Sequence, residues 1–578
     1  MDMPKRSRAM SDTASTITAV HSDGERETDG HLILDQRKTT QAVEEGHDAD
    51  TPSNAGYILT REDDVKRLKS IETQRKRQSL ALAEQQAKGD VEKGVQATGD
   101  GEDDPNIVWW DGDNDPENPY NWSTLRKVLN CGCVSFQTFL SPLASSVFAP
   151  GVPLVLQEFH SSSPEIATFV VSVYLLGFAV GPVVLAPLSE IYGRVPIYHI
   201  CNVGFIAFCV ACALAPSLNA LIAFRFLAGL FGVAPLTNGG GTVADMVPQK
   251  HRGTVLSIYS IGPLLGPIVG PIAGGFLSDA KGWRWNFWLL AIVSGFISLV
   301  MLIVMKESFG PVILKKKAER LRKETGNQLL HSKLDIGLTP KDFFKRSAVR
   351  PVKMFIRSPI ISIMALYTAL TYGYLYLQFT TMTEVFQKQY NFTTELVGLS
   401  FLGLGAGSLV GVVLYSLTSD KYIARKSAEA DRIAEETGME KQGMKPEYRL
   451  PFLPIGAIFI PVGLFIYGWT AEKKVHWIVP IIGTAFGGLG NILVFFSIQT
   501  YLVDAFTVYA ASALASNTII RSVTGAVLPL AGLRLYEKLG YGWGNSLLGF
   551  IAILFLPVSF VILKYGEVLR RKYPINNL

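Results

Sequence analysis

Apolar residues occur in long runs along this chain, and charged residues are concentrated between the runs. Each run is about 20 residues long, the length that an α-helix needs to cross the hydrocarbon core of a bilayer. The pattern predicts twelve spans in two groups of six. The first group covers 127–149, 166–188, 196–215, 218–243, 254–277 and 285–305, and the second covers 358–383, 396–418, 451–470, 478–500, 511–532 and 544–563. We therefore expect an all-α integral membrane protein built from two six-helix bundles.

The polar stretches define the rest of the domain organisation. Residues 1–120 are mostly polar and poor in aromatic residues, which is typical of a largely disordered tail. The two bundles are predicted over 121–305 and 358–563, and a charged linker over 306–357 joins them. A short tail over 564–578 follows span 12.

Basic residues indicate the side of the membrane on which each loop lies. Lysine and arginine follow spans 2, 4, 6 and 8 and recur in the C-terminal tail, whereas the opposite loops are short and carry acidic residues. Because cytoplasmic loops are enriched in lysine and arginine, both termini are predicted to be cytoplasmic. The glycosylation sequon at Asn391 would then face outside, although it lies very near the membrane.

Composition and motifs narrow the function classes. The net charge of +5 is small and gives no reason to expect a nucleic-acid partner. The five cysteines lie in apolar runs and form no zinc pattern with histidine. The chain lacks the G-x-x-x-x-G-K-[ST] loop expected of an ATP-driven pump, and no cluster of His, Ser or carboxylate residues indicates an enzyme. We expect no cofactor, no metal and no enzymatic activity.

The clearest motif lies in span 5, where Gly266, Gly270 and Gly274 recur every four residues and leave a smooth groove for another helix. With Pro271 and Gly275 they form a string that resembles the antiporter motif of drug:proton antiporters of the major facilitator superfamily. Motifs in residues 115–570 resemble fungal members of the twelve-span family in the same order. The resemblance implies the major facilitator fold, alternating access, and a gating role for these five residues.

Two features of the second half suggest an internal repeat and a partner for this groove. Gly403, Gly407 and Gly411 form another stripe of small residues in span 8, which is a plausible partner for span 5. Ser419-Asp420-Lys421-Tyr422 after span 8 is a degenerate copy of the loop that follows span 2.

That loop reads Ala186-Pro-Leu-Ser-Glu190-Ile-Tyr-Gly193-Arg194 and resembles the signature loop of the superfamily. Ala186 and Glu190 replace the usual glycine and aspartate, but the Pro-Leu-Ser-Glu variant is similar to that of fungal drug antiporters. Gly193 permits a tight turn. The resemblance implies that Glu190, Gly193 and Arg194, with Asp245 at the inner end of span 4, form a charge cluster that latches the outward-open state.

Arg225 lies about seven positions into span 4, where an arginine is expensive unless it faces a cavity or a partner. Snorkelling to the interface is the alternative. Its surroundings resemble the span-4 motif whose arginine is tied to proton coupling, and Arg521 near the middle of span 11 is the corresponding cation of the second half. No carboxylate lies deep in any span, so the sequence does not name a proton acceptor.

Aromatic residues with polar tips and a few amides also lie within the spans. Together with Arg225 and Arg521 they are predicted to line a substrate cavity suited to an amphipathic or weakly cationic compound, although packing is the commoner role of any one tyrosine. They are Gln137 in span 1, Tyr174 in span 2, Tyr372, Tyr376 and Gln378 in span 7, Asn491 in span 10 and Asn517 in span 11.

The resemblance implies a proton-coupled efflux transporter that exports drugs, polyamines or fungal secondary metabolites, with the proton gradient as its energy source. Its partners would be the small-molecule substrate, protons and the lipid bilayer. We expect a monomer in the plasma membrane, or alternatively in the vacuolar membrane. The alternative interpretations are a proton-coupled uptake symporter and a non-transporting membrane receptor of the same fold.

Overall fold

The computed structural model describes residues 106–335, 337–437 and 444–573, and this part of the chain is almost entirely helical. Eleven of its helical segments are long and apolar enough to cross a membrane. The last segment, Ala510–Lys572, has 63 residues and reverses direction at Gly540, whose φ of 75° suits glycine. Because Tyr541 and Gly542 donate backbone N–H groups to Glu472 at the end of span 9, the reversal lies at a membrane face. The segment therefore contains spans 11 and 12.

Several spans are assembled from two helices. The first half contains Thr124–Ser146 with Val152–Glu158 (span 1), Pro164–Ser172 with Tyr174–Tyr192 (span 2), Arg194–Ala213 (span 3), Leu218–Gly232 with Ala234–Met246 (span 4), Gln249–Lys281 (span 5) and Arg284–Val304 (span 6). The second half contains Pro359–Tyr390 (span 7), Thr394–Ser400 with Leu402–Thr437 (span 8), Phe452–Glu472 (span 9), Ile478–Ala505 (span 10), Ala510–Val527 continuing into Gly532–Lys572 (span 11), and the remainder of Gly532–Lys572 (span 12).

The linker and the segment before span 1 are ordered together. The linker forms the helices Gly310–Thr325 and Pro340–Arg357, and its strand His331–Ser332 pairs in parallel with Ile107–Val108. Part of the predicted N-terminal tail, 106–120, is thus structured, while the rest of the predicted tail, 1–105, lies outside the described residues. We call the end of the molecule that carries the linker the linker end, and the opposite end the far end.

A buried ion pair fastens this segment to the first linker helix. Lys317 donates to the Asp115 carboxylate at 3.3 Å, and both residues are only 4% exposed. Burial acts to raise the pKa of Asp115, but backbone N–H groups of Asp111 and Glu117 and the Lys317 ammonium hold that pKa below its usual value. The ionised carboxylate is therefore the form that docks the segment.

Candidate substrate site between the two bundles

Arg225 is buried, with 1% of its surface exposed, and it is bound to backbone carbonyl groups. Its Nε donates to Val170 at 2.7 Å, its Nη1 to Ala144 at 3.3 Å, and its Nη2 to Ser145 and Val171 at 3.2 Å each. The side chain therefore ties span 4 to spans 1 and 2, and it does not snorkel to the interface.

These carbonyl groups are free to accept because the helices end there. Ala144 and Ser145 lie in the last turn of Thr124–Ser146, and Val170 and Val171 in the last turn of Pro164–Ser172. The last carbonyls of a helix lack an intrahelical partner and carry the negative end of the helix dipole. Arg225 thus satisfies two helix ends with one cation. The rings of Phe148, Tyr174 and Phe287 lie 5.2 to 5.7 Å from its guanidinium carbon.

Arg521 is also buried, with 8% of its surface exposed, but its surroundings differ. The rings of Tyr372 and Phe495 lie 4.8 and 5.2 Å from its guanidinium carbon. Its Nε is buried without a hydrogen-bond partner among the residues that the structure describes. The second bundle therefore holds a cation whose hydrogen-bonding capacity is incompletely used.

Aromatic and hydroxyl groups connect the two arginines. Tyr372 packs against Tyr376 with ring centroids 5.0 Å apart, and the Tyr376 hydroxyl lies 2.7 Å from Ser145 Oγ. Ser145 Oγ donates its only hydrogen to Pro142 at 2.6 Å, so Tyr376 is the donor in the contact with Ser145. Since the Ser145 carbonyl accepts from Arg225, this serine lies at the junction of spans 1, 4 and 7.

The remaining predicted cavity residues fall into two sets. Tyr174 and Gln137 are bound inside the first bundle, to the Ser141 carbonyl at 3.0 Å and to Ser294 Oγ at 3.1 Å. In the second bundle, Asn491 donates to the Thr371 carbonyl at 3.2 Å and Asn517 donates to Gln499 at 3.3 Å. Gln378 of the same bundle is buried. The structure thus brings Arg521, Tyr372 and Tyr376 together, and Asn517 lies one helical turn from Arg521. Gln137 and Asn491 hold helices in place.

Polar contacts join the two bundles from mid-membrane level to the far end. These contacts are Ser145 with Tyr376, Thr383 with the Ala149 carbonyl at 3.3 Å, Ser172 with the Ala526 carbonyl at 2.8 Å, and the ion pair of Arg534 with Glu165. At the linker end the second linker helix lies against spans 2 and 11, with its Pro351 carbonyl accepting from Ser516 at 2.6 Å. The conformation is therefore closed at the far end.

The glycine groove of span 5 packs against span 1 of the same bundle. A Cβ atom at Gly266 would lie 2.8 Å from the Leu143 backbone nitrogen, and one at Gly274 would overlap the Val147 carbonyl oxygen. Gly270 lies between them on the same stripe. Bare backbone at these positions lets spans 1 and 5 approach closely.

The glycine stripe of span 8 has a different neighbour from the one we expected. Cβ atoms at Gly403 and Gly407 would overlap the Ile481 and Ala485 carbonyl oxygens of span 10, and Gly411 also faces span 10. The expected pairing of the two stripes is therefore wrong. Spacing shows that a helix face is smooth, but it does not show which helix covers that face.

Span 5 meets span 8 through other glycines. A Cβ atom at Gly275 would lie 3.1 Å from the Gly398 Cα and 2.9 Å from the Thr394 carbonyl oxygen, and one at Gly398 would lie 2.6 Å from the Pro271 carbonyl oxygen. Of the predicted gating residues in span 5, Pro271 and Gly275 thus lie between the bundles, while Gly266, Gly270 and Gly274 lie within the first bundle.

The predicted charge cluster at the linker end is present in part. Arg194 Nε lies 3.3 Å from Asp245 Oδ2, and its Nη1 donates to Ser189 Oγ at 2.6 Å. Glu190 is half-buried near Arg194 and Arg350, but in the described part of the chain it forms no ion pair with Arg194. The ion-pair and hydrogen-bond partners of the Arg194 side chain lie in the first bundle, and no contact with the second bundle is present among the described residues, so its latching role stays a prediction.

Glu307 is a member of this cluster that the sequence did not reveal. Its carboxylate accepts from the backbone N–H groups of Arg194 at 3.0 Å and Val195 at 3.1 Å, which places a negative charge at the N-terminus of span 3. Gly193 has a φ of 105°, and a Cβ atom there would overlap Glu307. The only signal in the sequence is an acidic residue directly after span 6.

The second bundle repeats the arrangement. Arg449 lies just before span 9, and Arg194 lies at the start of span 3. Arg449 pairs with Asp504 Oδ2 at 2.9 Å and with Asp420 Oδ1 at 2.9 Å. Asp420 belongs to the degenerate copy of the loop after span 2. The two halves therefore carry equivalent charge clusters at the linker end.

Asn391 lies at the far end, exposed, directly after Pro359–Tyr390. Its φ of 53° ends that helix in the left-handed conformation, which asparagine tolerates. The position is compatible with the predicted sequon, and glycosylation itself stays a prediction.

Comparison with known proteins agrees with this architecture. The family model of the Major Facilitator Superfamily matches residues 134–529. A protein of Aspergillus flavipes named MFS-type transporter tndD is 52% identical over 498 residues, which cover 86% of this chain and 91% of that protein. A protein of Floropilus chiversii named Efflux pump radE is 51% identical over 469 residues, which cover 81% of this chain and 86% of that protein.

Solved structures show the same fold at low sequence identity. The xylose transporter XylE from E. coli, in a partially occluded inward open conformation, has a TM-score of 0.56 and 15% identity, with 76% of this chain and 98% of that chain covered. Since the family model matches well over half of the residues and the fungal relatives match most of the chain, this chain belongs to the major facilitator superfamily and is a multi-pass membrane transporter.

Proposed function

We propose that this transporter is a proton-coupled exporter of small amphipathic compounds, such as drugs or fungal secondary metabolites, that works by alternating access. The observation that carries the proposal is a buried polar centre between two bundles that touch from mid-membrane level to the far end. Such a centre can reach only one side of the membrane at a time. The name of the Floropilus chiversii relative, an efflux pump, supports the direction.

The charge of the centre narrows the substrate class. The expectation from sequence included weakly cationic compounds and polyamines. The central cation Arg521, however, forms no ion pair with a carboxylate among the described residues, and aromatic rings surround it. A cationic substrate would meet like charge there, so the geometry favours amphipathic compounds without a net positive charge.

The linker end is proposed to be the cytoplasmic side, which follows the basic loops and places both termini in the cytoplasm. The conformation described above would then be inward-facing. Export requires the contacts of Tyr376, Thr383, Ser172 and Arg534, from mid-membrane level to the far end, to break, while the two bundles approach each other at the linker end. We assign Arg194 and Asp245 to the cluster that stabilises the resulting outward-facing state.

Arg225 is proposed to act in coupling as a positioning residue. Its guanidinium holds the Ser145 carbonyl in place, where Tyr376 of the other bundle can reach the Ser145 hydroxyl. Any change that moves the ends of spans 1 or 2 would be transmitted to the contact between the bundles.

Flux measurements in proteoliposomes test the proposal. The full-length protein should move a fluorescent amphipathic compound against its gradient when a pH gradient is imposed, and an ionophore that collapses the gradient should stop the movement. Unchanged flux after the ionophore would contradict antiport. Binding without any flux would favour the receptor reading, and accumulation of the compound in expressing cells would favour the uptake symporter.

Location is tested separately. A fluorescent tag should label the plasma membrane, and a tag at either terminus should be protected from external protease in intact cells. Labelling of the vacuolar rim would favour the alternative location, and cleavage of one terminal tag would contradict the proposed orientation.

A further inference from the structure

We propose that Arg521 is the anion-binding subsite of the substrate cavity, and that the compounds bound most tightly are weak organic acids with an aromatic body. This inference rests on the proposed transport function, since it assigns the chemical class of the compound that occupies the central site.

Arg521 is the starting point because its charge is incompletely satisfied. It is more than nine-tenths buried, and its Nε has no hydrogen-bond partner among the described residues. A buried N–H donor on a charged group is destabilising when no acceptor faces it. The rings of Tyr372 and Phe495 offset part of that cost, but they offer no lone pair to the N–H groups. The missing group is therefore an acceptor, ideally one with a negative charge.

Arg225 shows that an unpartnered Nε–H group is not a general property of buried arginine in this fold. Its guanidinium makes four hydrogen bonds to helix-end carbonyls, so four of its five N–H donors are used without a carboxylate. Arg521 lies within Ala510–Val527, more than one turn from either end, where carbonyls bond within the helix. Its acceptor must therefore come from another side chain or from a ligand.

A second unpartnered group lies one helical turn away. Asn517 Oδ1 is buried without a hydrogen-bond partner, and Asn517 and Arg521 share a face of span 11 because they are four residues apart. An organic acid that also carries a hydroxyl group could donate to Asn517 while its anionic oxygen accepts from Arg521. The two unfilled positions together match the polar edge of one small molecule.

The same face of span 11 is directed toward the other bundle. One turn beyond Arg521, a Cβ atom at Gly525 would lie 2.9 Å from Leu175 of span 2 and 3.0 Å from Tyr372 of span 7. Ala526 accepts from Ser172 across the interface. Arg521 thus lies on the linker-end side of the closure, where a compound that arrives from the linker end would meet it.

The test uses three probes with one aromatic scaffold: anthracene carboxylate, the neutral anthracene carboxamide and the cationic anthracene methylamine. Binding to the full-length protein in nanodiscs is measured by fluorescence for wild type, Arg521→Gln, Arg521→Lys and Arg571→Gln. Arg571 is an exposed arginine at the end of span 12, so its variant is the matched control for loss of a positive charge.

Wild type should prefer the carboxylate to the carboxamide by about ten-fold or more. Arg521→Gln should weaken carboxylate binding by roughly ten- to hundred-fold, as expected for loss of a charge-assisted hydrogen bond, and should leave carboxamide binding within about two-fold. Arg521→Lys retains the charge and should keep part of the preference. Arg571→Gln should behave as wild type.

The inference is overturned if wild type fails to bind the carboxylate, binds the three probes alike or prefers the amine, or if Arg521→Gln keeps the preference for the carboxylate. Flux in proteoliposomes separates this failure from failure of the proposed function. If the carboxamide shows proton-coupled flux and Arg521→Gln changes nothing, the proposed transport function stands and the anion-binding subsite is rejected. If carboxylate binding depends on Arg521 but no coupled flux is seen, the subsite stands and the proposed transport function is rejected.

Discussion

Arg225 and Arg521 are both arginines buried in membrane spans, but their surroundings differ and so do the roles that we assign to them. Arg225 binds four carbonyl groups at the ends of two helices, whereas Arg521 is flanked by rings and keeps its Nε free of a described partner. The comparison teaches that burial of a charge does not identify its function. What matters is whether the protein itself supplies the hydrogen-bond acceptors, because an unfilled position is where a ligand can bind.

The largest effect is expected from Arg225→Ala. Four carbonyl acceptors would lose their donor, so spans 1, 2 and 4 would no longer be held together. Transport should fall at least about hundred-fold while part of the protein still reaches the membrane, as flux and surface labelling would show. Full export by this variant would remove Arg225 from the account.

The next largest effect is expected from Gly274→Val. This substitution tests the packing of span 5 against span 1, which carries two of the carbonyl acceptors of Arg225. A side chain at Gly274 would overlap the Val147 carbonyl and push span 1 away from span 5. We expect loss of most transport and a lower melting temperature. Gly295→Val is the control, because a Cβ atom at Gly295 meets no heavy atom within 4 Å. Equal activity of the two variants would show that the groove has no role.

Tyr376→Phe probes the contact that joins the two arginine regions. Removal of the hydroxyl breaks the hydrogen bond to Ser145 but retains the ring contact with Tyr372. The net contribution of this hydrogen bond is about 1 kcal/mol, so transport should change by roughly three- to ten-fold. The labelling of a cysteine placed at the far end should increase, because the far end opens more easily. An unchanged rate together with unchanged accessibility would argue that the contact plays no part in closure.

The smallest effect is expected from Asp115→Asn, which lies far from both arginines. The pKa of Asp115 is lowered in the folded protein, so its carboxylate stabilises the fold above the ordinary aspartate pKa of about 4, and this contribution is lost as the pH falls through the lowered value. The difference in melting temperature between wild type and variant should be greatest near neutral pH, shrink as the pH falls below about 4, and vanish only below the lowered pKa of the folded state. A difference that grows in acid would contradict the assigned ion pair, and transport at neutral pH should change by less than about two-fold.

The sequence predicted the twelve spans and the burial of Arg225, because run length and the cost of a charge in lipid are local properties. It could not predict the acceptors of Arg225, since they exist only where the first helix of span 1 ends at Ser146 and span 2 is interrupted at Val173. Glu307 was missed for a similar reason: its partners at Arg194 and Val195 are more than a hundred residues away. Contacts between distant segments are set by packing, which a single sequence does not display.

The most direct test of the contrast is the melting temperature of Arg225→Gln and Arg521→Gln, measured side by side in the same detergent without ligand. Arg225→Gln should melt roughly 5–10 °C below wild type, because helix-end carbonyls lose a donor that spans two helices. Arg521→Gln should melt at or slightly above the wild-type temperature, because it removes a buried charge that the protein leaves incompletely paired. Equal destabilisation by both substitutions would contradict the distinction between a structural arginine and a ligand-binding one.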